Sequence, residues 1–372
     1  MEFCCFTPVP WPHLAERPAS WPFPNSAFDS ERGAACFDAA VEQLVFAEEC
    51  GFDWVGVGED HMTAYGLAPN PIMLLSVVAA QTKRIKLATM GCPLPLLNPV
   101  RVAEELAMLD VLSRGRVIAG LIRGVPQNYA AYGMDPAESR ERFDEALELV
   151  QKCWTHPETF AWESTHYSFP SVSMWPTPYS APHPPLLISA NSTTSAELGA
   201  RLRSRIGAIH LYNRNAIDRV AEAYDAYRRV AADAGWVPGS EMFLIGLPTC
   251  VAETDARAKE LLAQALDYQF SVLSGTYNEQ KRRIAQSTPG YGLSPTEEDP
   301  PGIDERLEQG LVLCGSPDTV AEQIRFLQER LGCGVISMHL QVGNMPHRAV
   351  MDGMRLFCDE IRPRFVRAEA LG

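Results

Sequence analysis

Runs of apolar residues recur along the 372-residue chain, and stretches with helical spacing separate them. Several runs are continuous rather than alternating, which is typical of parallel strands that are covered on both faces. The pattern predicts eight strands, at 2–6, 53–58, 85–90, 116–122, 185–189, 206–210, 242–251 and 334–340.

Helices are predicted between these strands. Apolar residues recur at helical spacing over 37–48, and Gly51 follows as a C-terminal cap. Ser316 precedes Pro317, an order that predicts an N-cap and a first helical position. About eight rounds of strand and helix indicate an α/β protein with the architecture of a (β/α)8 TIM barrel.

An open doubly wound sheet is the rival fold, and it usually has a glycine-rich turn after its first strand. Here the first strand leads into TPVPWP, which cannot cradle a pyrophosphate with backbone amides. We therefore expect a single barrel domain over 1–372, with loop insertions near 7–30, 157–184 and 271–310. The last insertion is polar and rich in proline and glycine, and a long loop in a compact domain is usually a lid, a binding loop or disordered. Five aromatic residues of the first two insertions could line an aromatic pocket or simply pack within their loops: Trp11, Trp21, Phe23, Trp162 and Trp175.

Charge and composition limit the set of partners and cellular compartments that suit the chain. The chain carries 32 basic and 46 acidic residues, a net charge of −14, which argues against binding to nucleic acid or to an anionic membrane. No run approaches ~18 consecutive apolar residues. The N-terminal residues lack the pattern of a signal peptide, and the ten cysteines lack zinc-site spacing. We expect a cytoplasmic protein with reduced thiols.

Ionisable residues stand where two of the predicted strands end. Glu59, Asp60 and His61 follow the second strand, and such a group can form a proton relay, a metal site or a hydrogen-bonded trio that only fixes the loop. Arg123 follows the fourth strand, and its planar guanidinium suits a phosphate or a neighbouring carboxylate. Because the carboxyl ends of barrel strands meet at one face, these residues are candidates for one active site.

Two further strand ends offer binding surfaces without charge. The fifth strand ends in SANSTT at 189–194, and a hydroxyl-rich turn before a helix can bind an anion or simply cap the helix. The third strand ends at Thr89-Met90-Gly91, which could lie beneath a flat aromatic ligand or be ordinary barrel packing.

Four separated segments resemble the bacterial luciferase-like, flavin-dependent monooxygenases, in the same order along the chain. They are EDHMTAYGLAPNP from residue 59, TMGCPLPLLNPVRVAEELAMLDVLSRGR from residue 89, IRGVPQNYAAYGMD from residue 122 and ANSTTSAELGA from residue 190. The resemblance is strong over 52–150 and 185–201, and weaker but consistent towards the C-terminus.

The resemblance implies a barrel that binds reduced FMN (FMNH2). Arg123 would contact the phosphate together with the turn after the fifth strand. The family's non-proline cis peptide bond would fall at Met90–Gly91, and Ile122 stands where luciferase has a cysteine near the flavin. The implied cofactor-binding residues are Thr89, Met90, Gly91, Ile122, Arg123, Ser189, Ala190 and Thr193.

The resemblance also implies that Glu59, Asp60 and His61 form the catalytic group. Asp60 replaces the first histidine of the luciferase pair, and His61 matches the second. A histidine with a pKa of ~6.5 exchanges protons near neutrality, whereas an aspartate at ~3.9 does not. Asp60 can take this role only if burial or Glu59 raises its pKa, and otherwise His61 takes it.

The implied reaction inserts one oxygen atom from O2 into a small organic substrate through a flavin C4a-(hydro)peroxide. The sequence shows no reductase and no nicotinamide site, so a separate flavin reductase would supply the reduced flavin. The alternatives within the superfamily are an F420-dependent oxidoreductase and a non-catalytic flavin-binding subunit. A metal-dependent barrel hydrolase is a more distant rival, based on His61, His210 and His339 near separate strand ends. By the same resemblance we expect a homodimer, paired through helices around 74–78 and 102–112.

Overall fold

The computed structural model describes residues 1–209, 211, 213–288 and 300–365. The strands, in chain order, are β1 (Glu2–Thr7), β2 (Trp54–Val57), β3 (Lys86–Thr89), β4 (Cys92–Pro93), β5 (Val117–Ile122), β6 (Phe160–Glu163), β7 (Ser168–Val172), β8 (Leu186–Ser189), β9 (Arg205–Ala208), β10 (Phe243–Val251), β11 (Leu313–Gly315) and β12 (Val335–His339). The helices are α1 (Ser30–Glu49), α2 (Pro71–Gln81), α3 (Pro99–Ser113), α4 (Pro126–Ala131), α5 (Ser139–Thr155), α6 (Thr193–Arg201), α7 (Ala216–Asp233), α8 (Asp255–Tyr268), α9 (Gly275–Ser287), α10 (Ile303–Glu308), α11 (Pro317–Leu331) and α12 (His347–Leu356).

Eight of the strands form a closed parallel barrel. They follow the order β1-β2-β3-β5-β8-β9-β10-β12, and β12 pairs with β1 to close the ring. At least one helix follows each of these strands before the next barrel strand begins. The predicted (β/α)8 barrel is confirmed, and all eight predicted strands correspond to barrel strands.

The barrel strands contact an apolar layer on each face, one inside the barrel and one between the barrel and the helices. This explains their continuous apolar sequences. Along β1, Cys4 and Phe6 point into the barrel, whereas Phe3 points outward and packs its ring edge against Phe357. Both faces of the strand are therefore buried. The interior layer consists of Cys4, Phe6, Trp54, Ala88, Met90, Ile118, Leu187, Leu244 and Val335.

The structure adds elements that the hydrophobic pattern does not predict. β4 and β11 have two and three residues, too few to give a recognisable run. β6 and β7 form an antiparallel hairpin within 157–184, and most of their residues are not buried. The polar segment 271–310 contains α9 and α10. Residues 289–299 of that segment, like His210, lie outside the described residues.

The predicted cap at Ser316 is only half right. α11 begins at Pro317 as expected, but the Ser316 side chain makes no capping hydrogen bond. Its backbone amide instead donates to Asp255 Oδ1 at 2.7 Å, which ties the start of α11 to the start of α8. None of the described helices is long and apolar enough to cross a membrane.

Candidate active site

A cavity of about 1170 Å³ opens at the carboxyl ends of the barrel strands. Two of the eleven predicted site residues, Thr89 and His61, do not line it, but each is hydrogen-bonded to a residue that does. The structure thus brings the predicted residues of four strand ends to one place. The nine that line the cavity are Glu59, Asp60, Met90, Gly91, Ile122, Arg123, Ser189, Ala190 and Thr193.

β3 and β5 approach each other unusually closely beside this cavity. The Gly120 amide donates to Thr89 Oγ1 at 2.8 Å, and that hydroxyl donates to the Gly120 carbonyl at 3.1 Å. A Cβ at position 120 would lie 1.7 Å from the Thr89 carbonyl oxygen, so the two backbones can meet only at a glycine. Thr89 therefore fixes the wall of the cavity through Gly120.

The predicted cis peptide bond at Met90–Gly91 is wrong. Within the described ranges, the cis bonds are those that precede Pro22, Pro176 and Pro182. Gly91 instead has a φ of 143°, which a residue with a Cβ rarely adopts. The chain therefore turns from β3 into β4 through glycine conformation, without a cis bond.

Two guanidinium groups and a helix terminus form a basic corner of the cavity. Arg123 follows β5, and Arg140 lies in the first turn of α5. Arg140 Nη1 lies 3.8 Å from Asp144 Oδ1. Burial raises the pKa of the Asp144 carboxyl, and the charges of Arg140 and Arg123 oppose this shift. α6 begins at Thr193, directly after Ser192, whose side chain accepts a hydrogen bond from the Ser195 amide. Amides, hydroxyls and guanidiniums in one corner can bind an anion such as a phosphate.

The acidic group lies after β2, in the same cavity. Glu59 Oε1 and His61 Nε2 are 2.9 Å apart, and these side chains are 4% and 7% exposed. Asp60 packs against Gly66, where a Cβ would lie 2.4 Å from Asp60 Oδ2. Glu59 and Asp60 both face the cavity, whereas His61 stands behind Glu59.

Burial changes the proton affinity of both carboxyl groups. It raises the pKa of Asp60 to about 7; His61 opposes this shift and Glu59 adds to it. Burial also raises the pKa of Glu59, against the hydrogen bond and charge of His61. From the sequence, Asp60 could replace the histidine only if its pKa were raised, and the structure shows the burial that raises it. A carboxyl with this pKa can exchange protons near neutral pH.

Three residues of the site were not predicted from the sequence. Arg140 lines the cavity from α5, and Asn128 lines it from α4. Asn128 is 3% exposed, and its Oδ1 accepts no hydrogen bond from the described residues, so it is available to a ligand. The Tyr132 hydroxyl lies 3.1 Å from His61 Nδ1. Asn128 and Tyr132 fall within the third matching segment, and Arg140 follows it within the region of strong resemblance, which was the only signal for them.

The aromatic residues predicted for the substrate pocket lie elsewhere. None of the five belongs to the lining of this cavity as far as the chain is described. Trp11 packs with Tyr65 and Leu273 in a separate apolar cluster, and Trp175 is 86% exposed. Aromatic lining comes instead from Tyr65, Phe143, Phe270 and Tyr277. The prediction failed because loop aromatics were assigned to the pocket without knowledge of how the loops pack.

His210 lies outside the described residues, and His61 and His339 belong to no group of three possible metal ligands within them. In the described part of the chain, one group of three possible metal ligands lies close together: Glu141, Glu145 and His166. These residues do not line the cavity. Glu145 already accepts hydrogen bonds from the amides of Thr165 and His166, which explains its position without a metal.

A closed (β/α)8 barrel, with a basic corner and an acidic pair in one cavity at its strand ends, has the architecture of a barrel enzyme. The sequence profile described as luciferase-like monooxygenase matches residues 20–332. The chain belongs to this family of flavin-dependent monooxygenases, and it is an enzyme.

Relatives of known activity agree with this assignment. Limonene 1,2-monooxygenase from Rhodococcus erythropolis is 27% identical over 327 residues, which cover 87% of this chain and 80% of that protein. The monooxygenase RslO1 from Streptomyces bottropensis has a similar structure, with a TM-score of 0.79, 27% identity, and coverage of 98% of this chain and 100% of that one.

More distant structures share the fold. The oxygenating constituent of 3,6-diketocamphane monooxygenase from Pseudomonas putida, a type II Baeyer–Villiger enzyme solved with FMN, has a TM-score of 0.76 at 23% identity, and covers 98% of this chain and 99% of that one. An F420-dependent secondary alcohol dehydrogenase also has this fold, with a TM-score of 0.68 at 15% identity, covering 97% of this chain and 98% of that one.

Proposed function

We propose that the protein is an FMN-dependent monooxygenase that inserts one oxygen atom from O2 into a small organic substrate. The observation that carries this proposal is the single cavity in which a phosphate-binding corner, built around Arg123 and Arg140, occurs together with the acidic pair Glu59 and Asp60. The basic corner can bind the anionic phosphate of a flavin mononucleotide, and apolar residues elsewhere in the lining can contact its ring system.

The chain's own groups fit such a cofactor. We assign Arg123, Arg140, Ser189 and Thr193 to its phosphate, with Ala190 in the same turn. Met90, Gly91 and Ile122 would flank the ring system, and Thr89 would support them through Gly120. The free Oδ1 of Asn128 is a buried acceptor that a ring or substrate N–H or O–H can satisfy, which removes the cost of leaving it unpaired.

The bound flavin supplies the oxygen chemistry, and the chain controls protons and water around it. Asp60 can hold or release a proton in the neutral range, because its pKa is raised to about 7. Glu59 and His61, which are hydrogen-bonded to each other, flank Asp60 in the chain. Apolar residues such as Leu187, Leu244 and Phe270 line the cavity and reduce the access of water to the reacting atoms.

We propose that a separate reductase supplies the reduced flavin. Support comes from the related P. putida protein, which is described as the oxygenating constituent of its enzyme and was solved with FMN. An F420-dependent oxidoreductase is the second candidate, favoured by the fold shared with such a dehydrogenase. Titration with each cofactor, followed by flavin fluorescence and oxygen consumption, separates the two.

The phosphate contact is testable by substitution. Arg123→Ala should weaken FMN binding by about 1.5–3 kcal/mol, or ~10- to 150-fold in Kd, the range for hydrogen bonds to charged groups. Isothermal titration with FMN and with riboflavin measures the effect, and riboflavin, which lacks the phosphate, should bind both proteins alike. Arg348→Ala is the matched control, because Arg348 is 93% exposed and outside the cavity lining. Equal FMN affinity of Arg123→Ala and Arg348→Ala would remove Arg123 from the site.

A further inference from the structure

Three hydrogen-bonded side chains lead from the cavity wall to the protein surface. Glu59 lines the cavity, and its Oε1 lies 2.9 Å from His61 Nε2. The other ring nitrogen of His61, Nδ1, lies 3.1 Å from the Tyr132 hydroxyl. Exposure rises along the series: the side chains of Glu59 and His61 are 4% and 7% exposed, whereas Tyr132 is 51% exposed.

We propose that Glu59, His61 and Tyr132 form a proton path between the cavity and solvent, with Tyr132 as its outer member. The inference rests on the proposed function, because it gives the acidic pair of that site a route for protons while flavin and substrate cover the cavity. Tyr132 does not face the cavity, so it acts only through His61.

The hydrogen-bond partners define how a proton moves. An ionised carboxylate can only accept hydrogen bonds, so next to an ionised Glu59 the neutral His61 ring carries its proton on Nε2. The Nδ1 atom then accepts a hydrogen bond from the Tyr132 hydroxyl. When a hydronium ion gives a proton to the Tyr132 oxygen and leaves as water, the hydroxyl proton can pass to Nδ1. His61 then releases its Nε2 proton to Glu59, which becomes a neutral carboxylic acid. A proton that leaves the cavity takes the reverse steps, and these return the imidazole to its first tautomer.

The surroundings of Glu59 favour a carboxyl that changes its protonation state. Burial raises its pKa, and the negative charge of Glu105 on α3 raises it further, while His61 opposes both. Asp60 stands next to Glu59 on the same strand end, and the charge of Glu59 raises the pKa of Asp60. Glu59 therefore stands at the cavity wall beside Asp60, and His61 links it to the exposed Tyr132.

The first test uses the protein without flavin. In ¹⁵N-histidine NMR spectra, Tyr132→Phe should shift the Nδ1 resonance of His61, because that atom loses its donor, and leave the Nε2 resonance nearly in place. Tyr179→Phe is the matched control: Tyr179 is 61% exposed and lies outside the cavity lining. An unchanged Nδ1 resonance in Tyr132→Phe would show that the outer link does not exist.

The second test measures the transfer itself. Oxidised FMN is bound to cover the cavity, a photoacid lowers the pH, and infrared spectroscopy follows the carboxylic acid band of Glu59, identified by its loss in Glu59→Gln. Positioned proton-transfer groups typically increase a rate ~10²- to 10⁴-fold, so we expect the carboxylic acid band to appear ~10-fold more slowly or slower still in Tyr132→Phe. Added imidazole should restore the rate in this variant, which a purely structural tyrosine would not show.

The outcomes separate the two proposals. Equal rates in wild type and Tyr132→Phe, or a slow variant that imidazole does not rescue, would overturn the proton path. Failure of FMN to bind to the wild-type protein would overturn the proposed function instead, and the NMR test would still decide whether the hydrogen-bonded series exists.

Discussion

Asp60 couples the site to the stability of the fold. Its pKa is raised from 3.8 to about 7, so the folded chain holds a proton that the unfolded chain releases within that window. Folding takes up this proton, and the free energy of unfolding therefore falls as pH rises from 3.8 to about 7. Asp60→Asn cannot ionise, so urea unfolding at a series of pH values should show a smaller fall for this variant. Asp233 is exposed, so Asp233→Asn should show the same dependence of unfolding free energy on pH as the wild type. If all three proteins showed the same dependence, the pKa of Asp60 would not be raised.

The sequence could predict those site residues that come directly after barrel strands. Asp60 and Arg123 follow β2 and β5, and the ends of parallel strands necessarily meet at one face. Arg140 lies in α5 and Tyr132 directly follows α4, so their distance from the cavity depends on how those helices pack. The raised pKa of Asp60 could not be predicted from the sequence, because it depends on burial, which is a property of the folded chain.

At the scale of elements, strands buried on both faces were the most predictable. β1 and β12 begin and end within one residue of their predicted bounds, because a short continuous apolar run between turn residues is typical of a buried parallel strand. The β6–β7 hairpin was missed because its residues are largely exposed and give no such run. The turn after β3 was misjudged because a glycine φ of 143° at Gly91 replaces the expected cis bond.

The contact between β3 and β5 predicts a large effect from one methyl group. Gly120→Ala would place a Cβ 1.7 Å from the backbone oxygen of Thr89, so the strands must separate. Overpacking a core typically costs 1–3 kcal/mol, and a clash with backbone should reach ~3 kcal/mol or more in the free energy of unfolding. Gly302→Ala is the control, since no atom lies within 4 Å of its added Cβ. Equal urea midpoints for the two variants would contradict the close approach.

At the scale of the whole molecule, one apolar surface lacks a partner within the described part of the chain. It lies on α2 and α3, which pack against each other. Monomeric proteins seldom expose a continuous apolar surface of this kind unless it binds something. We propose that it pairs with the same surface of a second copy, which is the isologous arrangement of most homodimers. The surface consists of Met73, Val77, Met108, Val111 and Leu112, each at least 40% exposed.

Light scattering after size-exclusion chromatography should therefore give twice the 41.1 kDa mass of the chain. Leu112→Glu should give a monomer, because two-fold pairing would bury the new carboxylate on both copies at once, and an unpaired buried charge is costly. Val237→Glu makes the same change at a residue that is 90% exposed and distant in sequence from α2 and α3, and it should stay dimeric. A monomeric wild-type protein, or a dimeric Leu112→Glu, would mean that this surface serves another partner. Because the surface does not include the cavity lining, FMN affinity should be the same in both variants.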